Sequence, residues 1–589
     1  MMETINATES KPRDVQVLPI GAETTLMRSR TWDRLRFEIE YALQRGTTAN
    51  SYLIQADKIA LIDPPGESFT ESFLAALKQR LDLKKLDYVI LGHTNPNRLV
   101  TLNALLKLAP QITIICSNPG AKSLRSLFES TYPETLQQQA LEIAVMRGEE
   151  TLDLGQGHHL QFIPTPSPRW SDALCTYDPQ TSILFTDKFF GAHVCSDQVL
   201  DEGWTTIGED RRYYFDCLMA PHARAVETAL DKLTDFPTRL YATGHGPLVR
   251  YSLIEITQSY RQWCEQQKSQ ETSVALIYAS AYGNTATLAQ AIARGITKAD
   301  VAVESINCEV ATPEEIREAI EKSAGFIMGS PTLGGHAPTP VQTALGLVLS
   351  TATKTKLAGV FGSYGWSGEA IDLIESKFRD AGYKFGFETI RVKFKPTDVT
   401  LKYCEEAGTD FAQALKKAKR ARTSRQPVGD SQAARTEQAV GRLIGSLCIV
   451  TAKQGELKSA MLADWVSQAT FTPPGLTIAV AKDRAIESLM HSGDKFVLNI
   501  LEEGKHLGLM KHFLKPFGPG EDRFAGVDTQ DTNNGCPILS DSLAYLECTV
   551  ENRLECGDHW LVYGVVKNGK VLHAEGVTAV HHRKSGTHY

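Results

Sequence analysis

No run of 18 or more apolar residues occurs in this 589-residue chain, so no membrane-spanning helix is predicted. There is no Cys-x-x-Cys pair among its eleven cysteines. That excludes a zinc ribbon, and the odd, scattered set argues against a disulfide framework and for reduced thiols in a cytosol-like compartment. There is no large excess of either charge: 62 basic against 69 acidic residues leaves a net −7, which argues against a dedicated nucleic-acid binder. The start, Met1 to Asp14, lacks the apolar core of a signal peptide. The expected location is the cytoplasm.

What the chain has is length for about three or four domains. Between residues 36 and about 250, short β-rich runs such as Asn50–Ile54, Ile59–Asp63 and Tyr88–Leu91 give way to helical stretches, which suggests layered α/β. From Thr272 the pattern changes. The apolar strands Val274–Tyr278, Gly325–Gly329 and Leu357–Phe361 each lead through a turn into a helical stretch, as in a doubly wound parallel sheet. Residues 416–437 read as a basic helix end and tether, with Lys416, Lys417, Lys419, Arg420, Arg422 and Arg425 ahead of Gln426-Pro427. After about Val440, β-branched and aromatic runs with glycine turns predict a β-barrel with short helices.

Three loops at the strand ends of the central region fit a flavin mononucleotide. The first is Ser280-Ala281-Tyr282-Gly283-Asn284-Thr285, a strand-to-helix turn whose hydroxyls and N–H groups suit a phosphate. The second is Ser330-Pro331-Thr332-Leu333-Gly334, and the third is Ser363-Tyr364-Gly365-Trp366-Ser367-Gly368. Small residues let backbone approach a planar ring, and Tyr364 or Trp366 can cover its face. The region 272–415 resembles the short-chain flavodoxins.

The N-terminal region carries the frame of a His-x-Glu-x-Asp-His metal motif with most of its ligands replaced. It reads His93-Thr94-Asn95-Pro96-Asn97-Arg98. Amides are poor ligands for iron or zinc, and a guanidinium has no free lone pair. Placed before a flavodoxin, this frame resembles the flavodiiron proteins, whose fold has a metallo-β-lactamase-like αββα domain. On that resemblance the seven ligand positions fall on His93, Asn95, Asn97, Arg98, Arg169, Lys188 and His245, with Asp187 one place early for the bridging carboxylate. Three cations there would repel two ferrous ions, each like-charge contact costing ~4 kcal/mol at 4 Å and an effective dielectric of ~20. No metal is expected. The cations are expected instead to line an anion or water pocket, with His193, His158 and His159 at the surface or structural. Asp187 is expected to point away from the centre, since neighbouring strand residues face opposite ways.

The segment Met461–Pro474 resembles the flavin-contacting strand and turn of flavin-reductase-like split barrels, and the likeness extends over 438–589. It implies a second flavin (FMN or FAD) held by Trp465, Ser467, Gln468 and Thr470, with Lys482 and Arg484 on phosphates. The family usually has Ser where Asp464 stands. The run His581-His582-Arg583-Lys584 reads as a basic tail or as part of the nucleotide site. The expected order is a metallo-β-lactamase-like domain at 1–260, a flavodoxin-like domain at 272–415, the tether and a reductase-like barrel.

This three-module order resembles the flavodiiron proteins of oxygenic phototrophs, cyanobacteria above all, and within them a ligand-poor member of the paired forms. The resemblance implies an NAD(P)H:oxygen oxidoreductase in which electrons pass through two flavins to O2. It also implies a head-to-tail dimer, homo- or hetero-, in which each FMN faces the other subunit's metal centre. The catalytic residues stay unassigned. Two alternatives remain open: slow flavin-based O2 reduction without iron, and a regulatory or scaffold subunit of an active homologue.

Overall fold

In the computed structural model, the described residues are 13–583 except 34, 38–39, 42–45, 149, 424–431 and 533. They form two compact units, one up to Ser269 and one from Gln270 onward. None of the described helices is long and apolar enough to cross a membrane.

The first unit stacks two sheets. One has seven strands in chain order, including Thr24–Thr31, Thr47–Gln55, Ile59–Ile62 and Leu86–Ile90. The other has five, ending in Leu174–Asp178, Ile183–Asp187 and Leu240–Thr243. Tyr52, Ile54, Ile62 and Ile90 from one sheet pack with Phe162, Phe185 and Ala242 from the other, and helices cover both outer faces. This is the expected αββα sandwich. Strands buried on both faces account for their unbroken apolar runs. Helix α1 (Pro96–Leu108) starts at Asn95, whose side chain accepts from the Asn97 backbone N–H, with Pro96 in the first turn.

The second unit holds two modules. Its first sheet is parallel, in the order Ala302–Asn307, Ser273–Tyr278, Gly325–Pro331, Leu357–Tyr364, Lys384–Phe385, with Ile390–Lys393 also pairing Leu357–Tyr364. Helix α2 (Asn284–Lys298) follows the first strand and packs closely on α3 (Asp398–Thr423). A methyl group at Gly295 would lie 1.9 Å from the Glu405 carbonyl oxygen, and one at Gly408 would lie 2.1 Å from that of Ile292. The two backbones therefore touch. The expected tether begins inside α3 and ends inside a helix at Gln432–Val440, while Arg425 and the rest of 424–431 lie outside the described residues. The second sheet is a seven-stranded antiparallel barrel, running from Leu457–Ala463 at one edge to Val466–Phe471 at the other.

Candidate functional site

The centre of the first unit is ionic. Arg98 rises from the first turn of α1 and bonds two buried carboxylates, Asp63 at 2.6 Å and Asp187 at 3.0 Å. Asp187 also meets His93 Nδ1 at 2.5 Å. Burial opposes charge on this carboxyl, but His93 and Arg98 outweigh it and hold it far below the usual carboxylate range. Burial likewise works against a charged His93 ring. Asp187 prevails and raises it above its ordinary value. Asp63 accepts the Gly92 N–H at 2.9 Å as well.

Several expectations are corrected here. Asp187, not Lys188, faces His93. The pairing with Leu240–Thr243 shifts register between Phe185 and Asp187, and Asp187 has φ 44°, so strand alternation fails at that residue. Glycine makes the room: a methyl group on Gly92 would lie 2.8 Å from the Asp187 Cβ. Lys188 is buried with its ammonium 5.3 Å from the Trp170 ring centre. Asn95 is the helix cap, and Asn97 is exposed. His193 is buried, bonds Thr47 Oγ1 at 2.8 Å and lies 5.1 Å from the His245 ring. His158 is also buried, against Asp178 at 2.9 Å, while His159 is exposed. His245 meets the Thr48 carbonyl at 2.6 Å, and burial, with His193 and Lys188 nearby, pushes it well below its ordinary value.

The expected pocket of three cations is replaced by these pairs. A cavity of about 20 Å³ is lined by Asp187, Lys188, Trp170 and His222, but by neither Arg98 nor Arg169. It has room for about one water. Arg169 lies near His222, whose ring is pushed down to about 3 by burial and by that cation. This donor set does not fit two divalent metals. A guanidinium already occupies both carboxylates, and Lys188 adds positive charge beside them. Asp63 escaped the sequence reading as a site residue, although an Asp closing a buried strand is a visible signal, and His193, expected at the surface or in a structural role, lies buried beside His245.

The flavodoxin loops are open. The structure brings all three together: Thr285 Oγ1 meets Ser363 Oγ at 2.8 Å, and the Thr332 N–H donates to the Ser363 carbonyl at 3.0 Å. Gly283, at φ 80°, precedes the first turn of α2, whose leading N–H groups, at Asn284 and Thr285, have no partner within the helix. Added methyl groups at Gly283 and Gly334 would meet nothing within 4 Å. Thr332 Oγ1 is buried without a hydrogen-bond partner, and the rings of Tyr282 and Trp366 are 75% and 91% exposed. An unpartnered hydroxyl, an open cradle and two aromatic faces fit a flavin phosphate and ring. Ser280 is partly committed, since its hydroxyl accepts the Ala286 N–H at 3.1 Å. Pro331, Leu333, Tyr364, Gly365, Ser367 and Gly368 lie on the same strand ends.

The barrel residues are divided. Asp464 is buried and meets His581 at 2.9 Å, with Arg583 over the Trp465 ring at 4.8 Å, so the C-terminal run folds back onto the expected flavin segment; residues 584–589 lie outside the described ones. Asp464 Oδ1 and His559 Nε2 are buried without partners, and the His559 ring lies 5.1 Å from Trp465. Ser467, Gln468 and Thr470 sit on the mostly exposed edge strand, and Thr470 is bonded to Tyr563 at 3.0 Å. Lys482 is taken by Glu555 at 2.6 Å. Arg484 turns to a cavity of about 410 Å³ between α3 and the barrel.

Models of three families match successive segments: the ODP family beta lactamase over 47–246, flavodoxin over 276–408, and the flavin reductase like domain over 440–587. The chain is 73% identical over 582 residues to the protein designated diflavin flavoprotein A 6 of Nostoc sp. (strain PCC 7120), covering 99% of this chain and 100% of that one. It is 45% identical to diflavin flavoprotein A 1 of Synechocystis sp. (strain PCC 6803), with both chains fully covered. The metal-soaked Flv1 flavodiiron core from Synechocystis sp. PCC6803 superposes with a TM-score of 0.66 at 69% identity, covering 69% of this chain and all of that one. With three matching modules in one order and full-length relatives at this identity, the chain belongs to the flavodiiron-type diflavin flavoproteins, a family of flavin-dependent electron-transfer oxidoreductases.

Proposed function

We propose that this chain is the flavin-bearing subunit of an NAD(P)H:oxygen oxidoreductase whose O2-reducing metal centre belongs to a ligand-complete partner. The observation that carries this reading is Arg98 bonded to both Asp63 and Asp187, in a chain whose flavodoxin loops stay open. Bound flavin supplies the means to take a hydride and release electrons singly. The chain's own residues would orient it: Gly283 to Thr285 and Ser280 at the phosphate, Thr332 and Ser363 toward the ring edge, and Tyr364 or Trp366 on its face. Trp465, His559, Arg583 and Asp464 would serve the second flavin, with nucleotide entering beside the barrel. The modules on this reading span 1–260, 272–415 and 438–589, and the assembly is a cytoplasmic head-to-tail dimer.

The reading predicts far less than two irons per purified chain. Asn95→Glu, Asn97→Asp, Arg98→His, Arg169→His and Lys188→Asp introduced together should raise iron uptake by elemental analysis. Single reversions should gain little, because the remaining groups act as a unit. With NAD(P)H the native chain should reduce dyes readily and O2 poorly, and a ligand-complete homologue should restore O2 reduction. Near-stoichiometric iron in the native chain would overturn this reading. Full activity in mixtures made with Gly283→Val, whose branched side chain cannot hold φ 80° cheaply, would favour a regulatory role instead.

A further inference from the structure

Between the flavodoxin module and the barrel lies a buried network of ions that belongs to neither flavin site. Glu405 on α3 bonds Lys298 at 2.6 Å, Arg294 at 3.3 Å and Lys402 at 3.4 Å. Glu487, on the barrel, bonds Arg553 at 3.0 Å and stands 3.8 Å from both Arg294 and Lys298. Lys402 donates to the Ala485 carbonyl at 2.7 Å and to Ser488. Lys298 reaches the Arg484 carbonyl at 3.4 Å. Farther along α3, Gln413 bonds Asp483 at 3.0 Å, and Glu406 accepts from the Gly520 N–H at 2.8 Å. Both glutamates are buried. Removing either glutamate would leave several buried cations without their counter-charge.

Its location gives the network a consequence. The flavodoxin loops surround the first turn of α2, at Asn284. The ion pairs that tie α2 to the barrel are at Arg294 and Lys298, ten and fourteen residues later, about 15 and 21 Å along the axis at 1.5 Å per residue. The barrel is therefore docked toward the rear of the flavodoxin module, with α2 running between the contact and the loops. Electron tunnelling falls exponentially with distance, and a helix length of packed side chains is a poor path.

We propose that the Glu405–Glu487 network is a latch that holds the barrel away from the flavodoxin loops, and that flavin-to-flavin electron transfer within one chain requires it to open. This rests on the two-flavin reading given above. The net step is balanced: NAD(P)H gives up a hydride, two electrons reach the flavodoxin flavin, that flavin takes up two protons (one supplied by water), and NAD(P)+ leaves.

A cross-link tests the latch. In a Cys556→Ser background, which removes the exposed thiol, Gln413→Cys and Asp483→Cys should be joined by a short bis-methanethiosulfonate reagent, whose two disulfide links span the reach of the Gln413–Asp483 hydrogen bond. The cross-link yield on a non-reducing gel, measured in flavin-free protein, reports docking directly. Lys402→Met should lower that yield. The holoprotein is then mixed anaerobically with NADPH or NADH. When cross-linked, only the barrel flavin should bleach in the fast phase, and any later bleaching should scale with protein concentration, as expected for transfer between chains. Reopening the disulfide links with a phosphine should restore bleaching of both flavins at a rate independent of concentration. Dithionite should bleach both flavins in either state. Fast, concentration-independent bleaching of both flavins in the cross-linked protein would overturn the latch while leaving the two-flavin reading intact. A cross-link yield no higher than that of a surface control pair would also overturn it. One flavin per chain before cross-linking would overturn both.

Discussion

At the centre of the N-terminal unit, Arg98 bonds Asp63 and Asp187, and His93 closes on the same carboxylate. At the flavodoxin loops, Thr332 Oγ1 is buried with no partner and Trp366 stands in solvent. Both places are clusters of polar groups at the ends of strands. The difference lies in what satisfies them. In the first, the chain's own ions neutralise one another, and a metal would have to displace them. In the second, donors and an aromatic face are left for something outside the chain. Self-satisfaction is the sign of a site that folding has closed, and unmet valence is the sign of one kept for a ligand.

That contrast is sharpest when one member is removed from each place. Arg98→Ala leaves two buried carboxylates without their cation and should cost ~3–5 kcal/mol of stability in the first unit by urea unfolding. Adding Asp187→Asn should recover part of the loss, and a loss under 1 kcal/mol would mean the centre is not closed by its ions.

The junction network is a second cluster neutralised by its own ions, although Glu487 Oε2 accepts no hydrogen bond, and it should behave like the first. Burial would raise the Glu487 carboxyl, but Arg553, Lys298, His491 and Arg294 outweigh it and bring it down to about 2. A depressed carboxyl contributes stability above its unfolded value, and that contribution fades as pH falls toward 2. Glu487→Gln should therefore cost about 3 kcal/mol at pH 7, with the gap to the native chain shrinking between pH 4.5 and 2. A gap that does not depend on pH would sever the link to ionisation.

The smallest change is expected at the open site. Thr332→Val removes a hydroxyl that no protein group uses, so stability should move by no more than about 0.5 kcal/mol. Flavin affinity, followed by fluorescence on release, should fall several-fold. A large stability loss with unchanged affinity would reverse the assignment of the loop as open.

Much of this was legible in the sequence. Apolar strands and glycine-rich loops gave away the flavodoxin module, because buried parallel strands and phosphate loops leave local patterns. The replaced ligands at Arg98 and Arg169 could also be read. Asp187 could not, since counting along a strand assumes strict alternation, and the register shift with φ 44° at that residue breaks it. The Glu405–Glu487 network was invisible for another reason. Its two glutamates lie 82 residues apart, on different modules, and a Glu read from local sequence alone looks like solvated surface.

The bidentate hold of Arg98 on Asp63 and Asp187 also shapes the mutational landscape around it. Any variant built to hold metal here would have to give up that arginine, and that step alone leaves two bare acids in the interior. Each acid is harmless only while the arginine is there, and the arginine is needed only while the acids are. Such mutual dependence works as a ratchet: once the arginine and the two acids are in place together they form a structural commitment that single substitutions undo only at a cost.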